Sequence, residues 1–232
     1  MSTDDRSGER KDVMSDAVRR TSRVDGTRRA GPALGGWIRR SCHRPGYGEP
    51  MAKELVTERL LLRPWTIDDA AAALGSYGDS QVARWLVPTM DRVPDEAAMR
   101  LVLQQWIAED ARMAPPAGRW AVELREDRSL VGGATLLPLP PDDEYEVGWQ
   151  LRPDTWGHGY ATETGKELSR WAFEQGIEQV IAVVRPANTR ATAMVRRLGM
   201  EWVGETDKYH SLHLQVYRLR PADLTPPTYP HP

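Results

Sequence analysis

Gly157 and Gly159 lie one residue apart in the run Trp156-Gly157-His158-Gly159-Tyr160-Ala161. The strand-like stretch 146–151 precedes it, and Thr162 and Glu163 open a helical pattern directly after it. A strand, a glycine-bearing turn and a helix N-terminus gather unpaired backbone N–H groups and the positive end of a helix dipole around one point, which suits a pyrophosphate. Glycine serves such a turn in two ways: it reaches backbone angles that other residues avoid, and it has no Cβ to hold phosphate oxygens away. The same pair would also make a tight strand-to-helix turn without any ligand, so the neighbouring residues decide. The sixth-position glycine and the acidic strand end about 20 residues on, both expected of a dinucleotide fold, are missing. No Gly-Lys-Ser or Gly-Lys-Thr follows, which excludes a P-loop.

The run does resemble the acetyl-CoA motif Q/R-x-x-G-x-G/A of the GNAT superfamily of N-acetyltransferases, with Trp156 first, Gly159 fourth and Ala161 sixth. Trp156 replaces the usual Gln or Arg. That departure, with E-V-G-W-Q-L before it and A-T-E after it, resembles the RimJ/RimL branch, as does the opening T-E-R-L-L-L-R-P-W at 57–65. Downstream, N-x-x-A-x-x-M-V-x-x-L-G-M from Asn188 to Met200 is similar to the family's second signature, in which an asparagine and an L-G-F flank the CoA arm. The resemblance covers roughly residues 55–219.

The resemblance implies an acyl-CoA N-acyltransferase fold, a mixed sheet of about six to seven strands flanked by helices. It also implies direct transfer of acetyl from acetyl-CoA to an amine in a ternary complex, without a metal. The backbone amides of Trp156, Gly157, His158, Gly159, Tyr160 and Ala161, helped by Asn188, would hold the co-substrate. Trp149, Gln150 and Leu151 would hydrogen-bond the pantetheine between two splayed strands and polarise the thioester. Many relatives carry a tyrosine eight positions into the second signature to protonate the departing thiolate. Here Val195 occupies that place, and Ala191 stands where Rim-type relatives often have serine, which leaves the general acid open.

An amine attacks only when neutral. At pH 7 roughly one α-amine in ten is neutral, against about one lysine side chain in a few thousand. A base therefore helps an α-amine and is close to necessary for lysine. Glu146, beside the expected thioester, is the candidate base; its alternative role is a solvated strand residue. His158, the one histidine in the motif, is the alternative base, but the resemblance implies an outward-pointing side chain, since relatives usually turn this position outward. His210 and His213 are close in sequence without a third ligand for a metal. Tyr209 and Tyr217 could donate a proton, although aromatic residues in a terminal strand most often serve packing. Arg152, Lys166, Arg190, Arg196 and Arg197 supply cations for the CoA phosphates.

The elements that must position these residues follow from pattern. The run 57–65 reads as a strand stopped by Pro64. Thr66 caps a short helix running to Leu74. A second helix begins near Pro94, with Met99, Val102, Leu103 and Trp106 on one face. Strands are expected at 120–124, 130–137 and 145–151. The helix after the turn buries Ala161, Gly165, Leu168, Trp171 and Ala172 and ends at Gly176. Residues 180–184 form a doubly buried strand. A helix capped by Asn188 runs to Gly199, and a final strand pair covers 200–203 and 212–219. Strand, helix and buried strand make a parallel crossover, so the class is mixed α/β.

Composition sets the limits. The 232 residues hold one cysteine, Cys42, which excludes a disulfide framework or thiolate cluster and fits a reducing cytoplasm. No apolar run approaches the ~20 residues of a membrane span. Net charge is −2, yet residues 1–50 carry 11 Lys/Arg against 7 Asp/Glu, a balance of +4 that leaves −6 for 51–232. The first fifty residues lack apolar periodicity and are expected to be a disordered basic extension. They could be an upstream extension ahead of a start at Met51, or an arm touching RNA or a ribosome. The first reading is preferred, so nucleic acid is not an expected partner. The domain is expected at 51–220 and a disordered proline-rich tail at 221–232. The acceptor is expected to be a protein N-terminal or small-molecule amine, and the protein a monomer or homodimer. A catalytically silent acyl-CoA-binding module is the competing function.

Overall fold

The computed structural model describes residues 53–142, 144–209 and 211–224. The N-terminal extension, His210 and most of the tail lie outside these residues. Eight strands form one mixed sheet in the order β1-β2-β3-β4-β5-β6-β8-β7: β1 Leu55–Val56, β2 Leu60–Pro64, β3 Gly118–Leu124, β4 Leu130–Leu139, β5 Glu144–Leu151, β6 Val180–Val184, β7 Glu201–Thr206 and β8 Leu214–Leu219. The expected six to seven become eight because the short β1 precedes the expected first strand and pairs back on it through a tight turn, in which the Thr57 backbone N–H donates to the Leu60 carbonyl at 2.9 Å.

Helices α1 (Ala70–Tyr77) and α3 (Glu96–Asp110) cover one face of the sheet, and α4 (Tyr160–Glu174) and α5 (Thr189–Leu198) cover the other. Strand alternation feeds both layers. Trp120 and Val122 join the core under α4 and α5, while Ala121 between them joins the core under α1 and α3. On α3, Met99 and Leu103 are buried, with Val102 and Trp106 packed beside them as the helical spacing predicts. The expected faces of α4 and α5 are likewise turned inward: Gly165, Leu168, Trp171 and Ala172 on the first, Met194, Val195 and Leu198 on the second.

Helix ends follow the predicted chemistry. Asn188 accepts from the Ala191 N–H at 3.2 Å to cap α5, and Gly199 closes it at φ +92°. Two elements depart from expectation. A four-residue helix α2 (Ser80–Ala83), capped by Asp79 onto the Gln81 N–H, is too short to show a period. Pro221–Asp223 forms a 3₁₀ turn whose Asp223 accepts from the Arg220 N–H at 2.9 Å. Among the described residues no helix is long and apolar enough to cross a membrane.

Candidate active site

Strands β5 and β6 run parallel but keep register at one pair only, Glu146 with Ile181. Beyond it they diverge. β5 continues to Leu151 against β4 alone, and the gap becomes a cleft of about 730 Å³ between residues 147–151 on one side and Ala182, Val183 and Val184 on the other. The cleft receives residues from both faces of the sheet: Gln81, Val82, Trp85 and Leu86 from α2 and its sequel, and Asn188, Arg190, Met194 and Arg197 from α5 and its approach.

The glycine turn stands at the mouth of the cleft. Gly157 and Gly159 hold φ of +88° and +83°, the left-handed region that a side chain resists. Gly159 is the N-cap of α4, and the first intrahelical bond runs from the Glu163 N–H to the Gly159 carbonyl at 3.1 Å. No side chain caps this helix, so the N–H groups of the first turn have neither an intrahelical acceptor nor a side-chain one. A Cβ placed on Gly157 meets no atom within 4 Å, so the space beside the turn is open. Free donors, a helix dipole and open space fit a diphosphate.

The predicted site residues converge on this cleft with one exception. Glu146, Trp149, Gln150, Leu151, Trp156, Gly157, Gly159, Tyr160, Ala161 and Asn188 all line it. His158 does not: it is exposed, its Nδ1 lies 3.2 Å from the Thr155 carbonyl, and its ring stacks on Tyr160 at 5.5 Å. Only its backbone belongs to the turn. Several of the others already have protein partners. The Trp156 indole donates to the Leu151 carbonyl at 2.9 Å, and the Tyr77 hydroxyl donates to Gln150 Oε1 at 3.2 Å. Asn188 spends its side-chain oxygen on the α5 cap, which leaves its NH2 group for another partner.

Glu146 is half-buried, and loss of solvent around its carboxyl raises its pKa to about 7, against the weaker downward pull of the Val183 backbone N–H. A carboxyl poised there exchanges protons readily at neutral pH. Of the five candidate cations, Arg152 is paired with Asp154 at 2.5 Å and bonded to the Leu130 carbonyl. Arg190 lies 4.2 Å over the Trp156 ring and lines the cleft with Arg197. Tyr209 and Tyr217 are buried away from the cleft, Tyr209 against Asp142 and Glu144. Val195 is fully buried. Among the described residues no group of three or more His, Cys, Asp or Glu side chains could hold a metal.

A mixed sheet split at parallel strands, with a glycine turn and a bare helix N-terminus at the mouth of the split, defines an acyl-transfer scaffold. Residues 59–201 match the family model for the acetyltransferase (GNAT) domain, and the chain belongs to that family. It is 24% identical over 151 residues to the uncharacterized N-acetyltransferase YnaD of Bacillus subtilis, spanning 65% of this chain and 84% of that one. It is 28% identical over 158 residues to the FsC-acetyl coenzyme A-N(2)-transacetylase of Aspergillus fumigatus, spanning 64% of this chain and 65% of that one. Among solved structures, the ribosomal-protein-S5-alanine acetyltransferase of Vibrio fischeri superposes with a TM-score of 0.59 at 17% identity, covering 75% of this chain and 100% of that one. A GNAT-family acetyltransferase of Bacillus anthracis also scores 0.59, at 24% identity, over 72% and 96%. The structural likenesses show a shared fold, and the domain match places the chain among the GNAT acetyltransferases.

Proposed function

We propose that this acetyltransferase moves an acetyl group from acetyl-CoA to a primary amine, in a ternary complex, as a cytoplasmic enzyme of the RimJ/RimL-like branch. The observation that carries the reading is the joining of two features in one cleft: uncapped backbone donors at 156–161 for the diphosphate, and the Glu146 carboxyl at the closed end of the split. Bound acetyl-CoA supplies the activated acetyl as a thioester. Trp149, Gln150 and Leu151 line its path along β5, and Asn188 offers its NH2 group from across the cleft. Glu146 takes the proton that the amine sheds as its nitrogen bonds to the acetyl carbon, and the C–S pair leaves with the thiolate. Val82, Trp85 and Leu86 line the same cleft as Glu146. The V. fischeri fold neighbour, named for ribosomal-protein alanine acetylation, and the −6 balance of 51–232 favour a cationic protein N-terminus as acceptor.

One observation favours the silent module as a second reading. The position of the proton-donating tyrosine in relatives is here Val195, sealed in the core, so the departing thiolate has no donor from that place. Calorimetric titration with acetyl-CoA, paired with thiol release on peptides with free N-termini and on small amines, tests both. Binding with release on peptides supports the proposal. Binding with no release on any amine supports the silent module, and no binding overturns both.

A further inference from the structure

The turn between β1 and β2 reaches across to the first turn of α4. Glu163 receives the Thr57 hydroxyl at 2.5 Å, the Arg59 backbone N–H at 2.9 Å and the Arg59 Nε–H at 2.8 Å, and a second guanidinium nitrogen of Arg59 lies 2.6 Å away. The same guanidinium donates to the His158 carbonyl at 2.9 Å and sits 4.8 Å over the Tyr160 ring. The turn that presents Arg59 is itself fixed. Leu60 donates its N–H to Thr57 Oγ1 at 2.9 Å, and Arg125 donates to the carbonyls of Thr57 and Glu58, each at 2.9 Å.

The His158 carbonyl belongs to the same peptide unit as the Gly159 N–H. In a planar trans peptide these two groups point in opposite directions. A donor gripping the oxygen from outside therefore aims the N–H the other way, and Gly159 lines the cleft. Gly159, on the C-terminal side of this plane, provides no Cβ to hinder its rotation, so an external hold on the His158 oxygen helps to fix the orientation.

We propose that Arg59, held by Glu163, is a positioning residue that aims the Gly159 amide and the start of α4 at the diphosphate of the co-substrate. The inference rests on the reading of 156–161 as the phosphate cradle. It is separable from simple charge attraction by sign. Glu163 stands in the first turn of α4, and a carboxylate there repels a nearby diphosphate. On charge alone, removing Glu163 tightens binding; as part of a clamp, removing it loosens binding.

The test titrates the full chain, as wild type, Arg59→Ala, Arg59→Lys and Glu163→Ala, with acetyl-CoA and with S-acetylpantetheine, which lacks the diphosphate. Thermal melts of each variant confirm folding. Loss of one charged hydrogen-bonded hold is expected to weaken acetyl-CoA binding roughly tenfold in Arg59→Ala and in Glu163→Ala. S-acetylpantetheine binding stays at the wild-type level. Arg59→Lys keeps the charge without the fork and does not recover the loss; it carries the test if Arg59→Ala fails to fold. Unchanged or tighter acetyl-CoA binding by Glu163→Ala, or equal weakening of both ligands, overturns the clamp. A wild type that binds acetyl-CoA no better than S-acetylpantetheine overturns the cradle itself, and the clamp with it.

Discussion

Glu146 stands opposite Ile181 at the one pair where β5 and β6 keep register, so the carboxyl sits where the sheet begins to split. Burial there removes water from the carboxyl and raises its pKa, while the residue still lines the cleft. The folded-state value of about 7 exceeds the ordinary carboxyl value, so the protonated form is favoured by folding. Stability from this group is complete below pH about 4.5 and is lost as pH rises to about 7, by up to ~3 kcal/mol. Glu146→Gln removes that dependence. The variant is expected to be more stable than wild type in urea at pH 8, with the gap closing toward pH 4.5. In the reaction, the limb rising through pH about 7 is expected to disappear in the variant, and a wild-type-like pH–rate profile would remove Glu146 as the base.

The turn glycines are held by conformation rather than by space. At Gly157, φ is +88° and a Cβ meets nothing, so Gly157→Ala is expected to cost about 1–2 kcal/mol by backbone strain alone. Asparagine tolerates the left-handed region better, so Gly157→Asn is expected to lose less stability than Gly157→Ala in the same denaturant series. A steric origin would reverse that order, since asparagine is larger.

Tyr77 is almost fully buried between Trp65 and Trp106, with ring centroids 6.1 and 5.1 Å away, and its hydroxyl reaches Gln150 in the cleft. Tyr77→Phe keeps the packing and removes one bond, for an expected loss of about 1 kcal/mol. Tyr77→Ala opens the aromatic cluster and is expected to cost about 3–5 kcal/mol. Chemical denaturation of the two variants separates the bond from the packing.

Arg190 and Arg197 are exposed cations at the cleft. Their attraction for phosphates is screened by salt. Replacing either by Ala is expected to raise the acetyl-CoA dissociation constant a few-fold at low ionic strength and to flatten its dependence on salt. Titrations at two salt concentrations check this.

His213 bridges Asp207 and Glu205, each at 3.1 Å, and these acidic partners, Asp207 foremost, hold its pKa above the ordinary imidazole value. Its contribution is present below the unfolded value and lost as pH rises through the raised one. The difference in melting temperature between wild type and His213→Ala is therefore expected to be larger at pH 6 than at pH 9.

Most of the fold was legible because periodic burial and capping chemistry agree. Asn188 with Gly199 bracketed α5, and the β-branched run at 180–184 marked the buried strand. The site was legible where chain neighbours build it, as in the turn 156–161. It was not legible where distant segments meet. The Arg59–Glu163 contact joins residues 104 apart, and no spacing rule reports it. Trp85 and Leu86 reach the cleft from a region whose four-residue helix carries no period. The aromatic hold of Arg190 over Trp156 escaped for the same reason, and Arg152, close in sequence to the turn, proved to be committed to Asp154.

The single pairing between β5 and β6 also inverts the usual map of sheet durability. In most sheets the rim exchanges its amide hydrogens fastest and the middle slowest. Here alternate amides of β5 beyond Glu146 face the split rather than a neighbouring strand, although four strands lie on one side of β5 and three on the other. The two blocks are thus joined as by a zipper closed only at its foot, and the seam of least protection is expected to run through the middle of the sheet.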